Sequence, residues 1–385
     1  MVSLPLKKAK TSAKVLTNTY CLKRVTQSCV NHLPLRIQGT LTPKLFYHHL
    51  ISLSLNRASL HSARKTFQKF RSETTLRHHL KKFDMTTLID QSIELLWSTA
   101  AKILSPNKSY EFAIDYTHDP YYGEIDEKNA EYIIKAQRKK STYKFYTYAT
   151  LSVVTKNEKF VLGVLPVQKG HGTQEYVRKL LESLERHHIK PSVVYLDGGF
   201  YGRPVMNLLR EKQMPFIIPM PDKRGKIRNL LRAAKKKTIL PYTIGEGRPN
   251  KLTISMGIIV KRIPKEGRRV KDRYSYAFYG VEHWGISKIS RMYEHRFSIE
   301  ASYRIRNEIK PKTSTKNPVV RYLFALITFV IENIWVSLQN TYFVLLQRGP
   351  KVIDEDSFPL KVFVTLANTE LRRILGEIRW VSRLR

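Results

Sequence analysis

The spacing of apolar residues changes near residue 106 and divides the chain into a helical and a strand-rich part. Before this point, apolar residues at helical spacing predict two short helices between residues 59 and 83 and a longer one from 87 to 104. Ser72 is well placed to cap the second short helix, because its hydroxyl can accept a backbone N–H. We therefore expect residues 1–106 to form a helical N-terminal region.

Short apolar runs after residue 106 indicate a sheet with connecting helices. The pattern predicts three strands, then a helix, a strand, a helix and a last strand. They cover residues 111–116, 143–155, 159–167, 174–187, 192–196, 203–212 and 215–220. This order resembles that of the ribonuclease-H-like fold, an α/β fold with a mixed sheet flanked by helices. Its first and fourth strands are neighbours.

A basic, strand-like stretch interrupts this core. Alternating apolar residues at 252–260 and 274–279 predict strands, so residues 222–288 are interpreted as an inserted β subdomain. A strong helix is predicted over about 290–308. The catalytic core would then consist of residues 107–221 and 289–347, followed by a helical C-terminal tail at 348–385.

The apolar run at residues 322–340 is long enough to span a bilayer. Polar and charged residues, among them Glu332 and Asn333, interrupt it. These groups are costly in lipid, so a buried core helix is the preferred interpretation.

The charge balance indicates a polyanionic partner. Lys and Arg total 68 against 31 Asp and Glu, a formal charge of +37. Such self-repulsion is relieved when a polyanion neutralises it, and nucleic acid is the first candidate. A membrane surface is the weaker alternative, since the basic residues are spread along the whole chain. Arg77 and Lys81 lie on the polar face of a predicted N-terminal helix and suit DNA contact, although a merely solvated basic face is the alternative.

The two cysteines, Cys21 and Cys29, are too few for a disulfide framework or a zinc site. We therefore expect a cytoplasmic protein, associated with the nucleoid if it binds DNA, and expect oxygen ligands for any metal. The first acidic residue is Glu73, and such an acid-free start would also fit an organellar transit peptide. A DNA-binding arm shows the same bias.

Two aspartates follow apolar strand patterns. Asp115 is placed at the end of the first predicted strand and Asp197 at the end of the fourth, so the two are expected to converge at one edge of the sheet. Gly198 and Gly199 allow the backbone to bend beside a substrate phosphate. Either aspartate alone could be a turn cap, and Asp119, before Pro120, is interpreted in that way.

A third carboxylate lies on the predicted helix at 290–308. Tyr293, Arg296, Glu300 and Arg304 are spaced by three, four and four residues and would share one helix face. A surface salt-bridge row is the alternative. The order of two strand-end aspartates followed by this glutamate favours a catalytic site.

Three clustered carboxylates imply cations. At about 5 Å each pair repels by roughly 3 kcal/mol at an effective dielectric of 20. Oxygen ligands favour Mg²⁺, with Mn²⁺ as a substitute. Two such ions can activate a water or 3′-hydroxyl and stabilise the leaving oxygen at phosphorus.

At these residues the sequence resembles the DDE insertion-sequence transposases, particularly the cut-and-paste group with a Tyr-x2-Arg-x3-Glu-x6-Lys signature. Tyr293, Arg296 and Glu300 match its first three positions, but the fourth is Asn307. The missing charge could come from one of four nearby basic residues, namely Arg304, Arg306, Lys310 and Lys312. Of these, Arg304 and Lys310 are also expected to contact DNA. The likeness extends over about residues 110–345.

The resemblance implies a ribonuclease-H-like core in which Asp115, Asp197 and Glu300 bind metal. Tyr293 and Arg296 would contact a DNA phosphate near the cleaved end. Trp284 could stack on a base flipped out of the transposon end, or it could be an ordinary core tryptophan.

The implied activity is excision of an element and transfer of its 3′-hydroxyl ends to target DNA. The partners would be terminal repeats and target DNA as duplexes, bound by a homodimer, with no membrane. Two alternatives stay open: a metal-dependent nuclease without strand transfer, and a non-catalytic DNA-binding relative of transposases.

Overall fold

The computed structural model describes residues 15–222, 225–265, 268–345, 348–349 and 351–378. Residues 1–14 of the predicted N-terminal region and 379–385 of the predicted tail lie outside the described residues. So do Lys223 and Arg224 of the basic stretch after the predicted core.

Five helices are followed by a mixed region of strands and helices, and most of the last part of the described chain is helical. The helices are α1 (Asn18–His32), α2 (Pro43–Leu55), α3 (Leu60–Arg64), α4 (Glu73–Leu80), α5 (Met85–Ala100), α6 (Thr173–Arg186), α7 (Arg203–Glu211), α8 (Lys226–Ala233), α9 (Ile286–Tyr293), α10 (Ser298–Glu308), α11 (Pro318–Tyr342) and α12 (Leu360–Leu375). The strands are β1 (Tyr110–Pro120), β2 (Ile133–Lys139), β3 (Thr142–Val153), β4 (Val161–Pro166), β5 (Pro191–Leu196), β6 (Phe216–Met220), β7 (Thr238–Ile244), β8 (Leu252–Lys265), β9 (Arg268–Tyr279), β10 (Val344–Leu345) and β11 (Val352–Ile353).

One nine-stranded mixed sheet organises the protein. β3 pairs antiparallel with β1, β2 and β4, and β1 is followed by β5 and β6, which run parallel to it. The sheet continues through antiparallel β9, β8 and β7. The predicted neighbourhood of the first and fourth core strands is therefore confirmed as the β1–β5 pair.

Several predicted boundaries need correction. β1 continues past Tyr116, because its ladder with β3 extends to the pair Pro120↔Phe145, so Asp115 lies within the strand and not at its end. β2 was not predicted, since its polar sequence lacks an apolar alternation. The strands of residues 222–288, predicted as an inserted β subdomain, join the central sheet through the β6–β9 pair.

The predicted N-terminal helices are present, and Ser72 caps α4 by accepting from the Thr75 backbone N–H. These helices do not stand apart from the core. Their apolar residues form one hydrophobic cluster with α11, α12 and side chains from β3 and β4. The helical region is thus anchored to the sheet that carries the candidate site.

Alternate residues of β1 and β5 face different helices, as the two-residue period of a strand requires. Phe112, Ile114, Val194 and Leu196 pack towards α6 and α7. Ala113, Val193 and Tyr195 pack on the opposite face, towards α9 and α10. Odd-numbered residues of both strands therefore face the helices that follow residue 286.

α11 is the core helix expected from the apolar run at 322–340. It is long and apolar enough to cross a membrane, but 89% of its most apolar window is buried inside the protein. Its polar residues have protein partners: Asn333 accepts from the Val161 N–H (2.9 Å) and donates to the Val161 carbonyl (2.7 Å). The Tyr322 hydroxyl donates to the Val164 carbonyl. α11 thus satisfies backbone groups of β4 that the sheet leaves unpaired.

Replacing Asn333 should therefore be costly. We expect Asn333→Leu to lower the free energy of unfolding by roughly 2 to 5 kcal/mol, because it leaves two buried backbone groups of Val161 without partners. Urea denaturation measures this loss. Tyr322→Phe leaves only one buried backbone acceptor, the Val164 carbonyl, without its partner and should cost about 1 to 3 kcal/mol. A larger loss in Tyr322→Phe than in Asn333→Leu would contradict this account.

Candidate active site

Asp115 and Asp197 are brought side by side by the register of two parallel strands. The β1–β5 pairing ends with Ile114↔Leu196, and the two aspartates are the next residues on each chain. Both are odd-numbered and share the face turned towards α9 and α10. The predicted convergence of these carboxylates thus follows from strand register, although Asp115 is not at a strand end.

The guanidinium of Arg296 pairs with both carboxylates. Arg296 Nη1 lies 2.7 Å from Asp115 Oδ2, and Nη2 lies 3.6 Å from Asp197 Oδ1. The side chains of Asp115 and Arg296 are about nine-tenths buried, whereas that of Asp197 is 43% exposed. Asp197 is therefore the member of the trio that an incoming ligand can reach.

The aspartates also bond to the backbone. Asp115 Oδ1 accepts from the Tyr116 N–H at 2.7 Å. Asp197 Oδ2 accepts from the Gly199 N–H at 3.3 Å and caps the 3₁₀ turn Gly198–Phe200. Asp197 therefore acts as a turn cap, the alternative named in the sequence analysis, and also lies in the charged trio with Asp115 and Arg296.

Burial and the neighbouring carboxylates make it unfavourable for Asp115 to be ionised beside Asp197. Burial raises the pKa of Asp115 to about 6; Arg296 opposes the rise, and the neighbouring charges of Asp197 and Glu300 add to it. Burial alone would lower the pKa of Arg296, but Tyr293 and the carboxylates raise it, so the guanidinium stays protonated. The two carboxylates are thus stabilised by a cation, which here is Arg296.

A short 3₁₀ turn, Glu294–Phe297, fixes Arg296 in this position. The Tyr293 hydroxyl donates to the Leu196 carbonyl (3.1 Å), next to Asp197 in sequence. His295 Nδ1 lies 2.7 Å from Glu111 Oε2 on β1. Tyr195 of β5 donates to the same oxygen. Residues on both sides of Arg296 are therefore tied to the two strands that carry the aspartates.

Glu300 follows the same turn in sequence, and its charge acts on both Asp115 and Arg296. The predicted helix over 290–308 is broken into α9 and α10, so Tyr293 and Arg296 do not share one continuous helix face with Glu300 and Arg304. Tyr293 and Arg296 are buried, and Glu300 and Arg304 are exposed. The four residues therefore differ in exposure along a helical path that passes through the 3₁₀ turn Glu294–Phe297.

Two of the three predicted metal ligands are thus brought together. Within the described ranges, no three His, Cys, Asp or Glu side chains are grouped closely enough to hold a metal ion. Two adjacent carboxylates still offer the oxygen donors that a hard divalent cation prefers, and their charge favours one. Asp115 and Asp197 fit such an ion, in competition with Arg296, whereas Glu300 is not yet gathered with them.

A second buried ion cluster supports β1 from the same side. Arg306 of α10 is 1% exposed; its Nη2 donates to both oxygens of Asp119 at 2.7 Å and its Nη1 to Thr117 Oγ1 at 3.1 Å. Lys310 Nζ lies 2.7 Å from Asp119 Oδ1. Burial would raise the pKa of Asp119, but these two cations hold it at about 2. The cluster joins the strand of Asp115 to the helix of Glu300.

This buried ion pair of Asp119 was not predicted, because the residue was assigned to a turn. The available signal was its position four residues after Asp115, which places both on one face of a strand if that strand continues. Lys310 was predicted as a DNA contact; burial lowers its pKa to about 8, with Asp119 opposing, and its ammonium is engaged in this cluster.

The other predicted DNA contacts lie at the surface. Trp284 is half-buried against the cluster of α9, with Lys288 Nζ 4.6 Å from its ring centroid. Arg77 and Lys81 are exposed on α4, far along the chain from the trio. Their roles remain predictions.

A family model and one solved structure agree with this architecture. The family model described as transposase DDE domain matches residues 106–316, more than half of the chain and all three predicted carboxylates. Among solved structures, the piggyBac transposase synaptic complex with hairpin DNA is similar in fold, with a TM-score of 0.57 and 13% identity, over 97% of this chain and 84% of that chain. The Drosophila P element transposase strand transfer complex has a TM-score of 0.30 and 11% identity, over 86% and 65% of the two chains. No curated protein matches the sequence.

The Asp119 cluster should contribute strongly to stability at neutral pH. We expect Asp119→Asn to lower the free energy of unfolding by roughly 3 kcal/mol at pH 7, because it leaves two buried cations without their counter-ion. Its pKa is lowered from 3.8 to about 2 on folding, so the contribution is full above about pH 4 and is lost as the pH falls towards 2.

Urea denaturation at pH 7 and near pH 3 measures this, and the gap between wild type and variant should shrink in acid. Asp126→Asn, which breaks an exposed pair with Lys316, is the matched control and should change little. A gap that is constant with pH would contradict the role given to Asp119.

Proposed function

The chain belongs to the transposases with a DDE domain, and on this premise we propose that it binds transposon-end DNA, cleaves it and transfers the 3′-hydroxyl ends to target DNA. The observation that carries the proposal is the adjacency of Asp115 and Asp197 after the last β1–β5 pair. We further propose that β1 and β3 to β6 form a ribonuclease-H-like core, and that the chain is of the Tyr-Arg-Glu-Lys group.

In this proposal Asp115 and Asp197 supply carboxylate oxygens to divalent cations, Mg²⁺ or Mn²⁺, with Glu300 as the third ligand. Two ions, when bound, would activate the attacking water or 3′-hydroxyl and stabilise the leaving oxygen. The protein's own part is to fix the two aspartates through strand register and to orient the scissile phosphate. No covalent protein nucleophile is required.

Arg296 would change partners during assembly of the site. Its contact with Asp197 is long, at 3.6 Å, and Asp197 is partly exposed, so this contact is the weaker one. When a cation replaces it, the guanidinium becomes free to donate to a DNA phosphate, which it can do in a bidentate manner. Glu300 would join the aspartates through a rearrangement of the first turn of α10.

The other proposed features follow from charge and from the chemistry of joining ends. The net charge of +37 supports duplex DNA, both terminal repeats and target, as the partner. Two DNA ends must be joined, and this supports a homodimer on DNA. The proposed location is the cytoplasm, in association with the nucleoid. Trp284 is proposed to stack on an unpaired base of the end.

A non-catalytic DNA-binding relative is the second candidate. The exposed position of Glu300, apart from the two aspartates, is the observation that favours it. A nuclease without strand transfer would need the same carboxylates. A cleavage assay followed by detection of joined products separates these possibilities.

Loss of any proposed metal ligand should abolish cleavage. Asp115→Ala, Asp197→Ala and Glu300→Ala should each reduce Mg²⁺-dependent cleavage of an end-bearing duplex by roughly 10³-fold or more, while leaving DNA binding largely intact. Glu308→Ala, on the exposed side of the same helix as Glu300, is the control and should keep its activity. Activity surviving in all three variants would reject the assignment.

Removing the competing cation should strengthen metal binding. Arg296→Met leaves Asp115 and Asp197 without a counter-ion, so the variant should be less stable without metal and gain more from it. We expect added Mg²⁺ to raise its Tm by about 1 to 3 °C more than that of wild type, which corresponds to roughly tenfold tighter binding. The control Arg304→Met removes an exposed charge on α10. Equal Mg²⁺ shifts in Arg296→Met and wild type would count against a cation site at the two aspartates.

A further inference from the structure

A basic cleft lies away from the carboxylates, between the α3–α4 pair and the segment that joins α10 to α11. This segment, residues 310–317, is called the joining segment below. The cleft has a volume of about 220 Å³. Its polar lining consists of Ser59, His61, Arg77, Lys81, Lys312, Thr313, Ser314, Thr315 and Asn317. It thus holds three permanent cations and several hydroxyls, with no carboxylate among its lining residues.

The joining segment is held rigidly in its path. The Lys312 backbone N–H donates to the Ala58 carbonyl (3.1 Å), next to α3. Arg321 Nε donates to the Thr315 carbonyl at 2.6 Å, and the same guanidinium lies 4.7 Å from the centroid of the Tyr146 ring. Because buried contacts fix the backbone, Lys312 is presented at a defined place and not on a loose loop.

The opposite wall is equally well defined. Arg77 and Lys81 are four residues apart on α4 and its C-terminal cap, so they project from the same face. Leu76 and Leu80 are buried and anchor that helix to the core. The Arg77 side chain is 56% exposed, and its contact with Glu73 is long at 3.4 Å, so its donors are largely free.

The neighbouring Lys82 differs, because its ammonium donates to the Arg36 carbonyl. Among the described residues, Lys81 and Lys312 have no ion-pair partner, and Arg77 shares only an exposed, long contact with Glu73. These cations come from α4 and from the joining segment and face the same cleft. Such an arrangement can bind phosphate oxygens.

The distance to the candidate active site suits one DNA duplex. Glu300 and Lys312 are joined by the rest of α10 and the start of the joining segment. At about 1.5 Å per helical residue and 3.3 Å per extended residue, their Cα atoms are at most about 25 Å apart. This upper limit is less than one turn of B-DNA, about 34 Å, so the separation is short enough for one duplex to contact both places.

We propose that this cleft binds the sugar-phosphate backbone of the DNA duplex within one helical turn of the cleaved phosphate. The inference rests on the proposed function for the identity of the DNA. Arg77, Lys81 and Lys312 neutralise phosphates, and the Ser314 hydroxyl can add a hydrogen bond. An anionic membrane fits less well, since none of the large hydrophobic side chains exposed in the described chain lines the cleft.

Salt dependence of DNA binding tests the proposal. The probe is a short fluorescent duplex of random sequence, titrated with full-length protein from about 50 to 200 mM salt. Each lost phosphate contact should reduce the slope of log K against log salt by about 0.9, so Arg77→Ala, Lys81→Ala and Lys312→Ala combined should reduce it by roughly 2 to 3. Restoring a charge as Lys81→Arg in this background should recover part of the slope.

The matched control removes three exposed cations elsewhere: Lys23→Ala, Lys102→Ala and Lys361→Ala. The net charge then falls equally, and the slope should change by less than about 1. Equal losses in both triple variants, or an unchanged slope in the cleft variant, would overturn the cleft proposal.

Mg²⁺-dependent cleavage by the wild-type protein, measured in the same preparation, reports separately on the proposed function. If the wild-type protein cleaves DNA but the slope of the cleft variant is unaltered, the cleft proposal is rejected and the proposed transposase function stands. Normal circular dichroism of both variants ensures that a changed slope reflects lost contacts and not unfolding.

Discussion

The structure depends on a row of polar contacts between one face of β1 and the chain segment from residue 294 to 310. Odd-numbered residues of β1 point at this segment, and the four polar ones each meet a basic partner or donor there. The pairs are Glu111 with His295, Asp115 with Arg296, Thr117 with Arg306, and Asp119 with Arg306 and Lys310. Buried charges are tolerated only when paired, so this row fixes how the helix of Glu300 lies on the strand of Asp115.

The sequence predicted those features that depend on interactions between residues close together in the chain. Strands, helices and the β1–β5 neighbourhood could be predicted, because apolar periodicity and chain order determine them. The break at Glu294–Phe297 could not, since it arises from tertiary contacts of Tyr293 and His295 with the sheet. For the same reason Asp119 was assigned to a turn: nothing in its local sequence reveals Arg306, which comes from a distant helix.

In our proposal, the two aspartates are already in place, and Arg296 and Glu300 must move before the site can act. Strand register holds Asp115 and Asp197 together, and Arg296 neutralises them. Glu300 follows the turn that positions Arg296. We therefore propose that three events are linked: the ion enters, the guanidinium of Arg296 leaves Asp197, and Glu300 approaches the ion. DNA supplies the anion that the released guanidinium would meet.

The most direct test is a crystal structure of the protein soaked in Mn²⁺, with the ion located by its anomalous scattering. Our account predicts an ion coordinated by Asp115 and Asp197, with Arg296 displaced from Asp197 and Glu300 moved towards the ion. An Arg296 that keeps both contacts, with no ion at the two aspartates under saturating Mn²⁺, would contradict it.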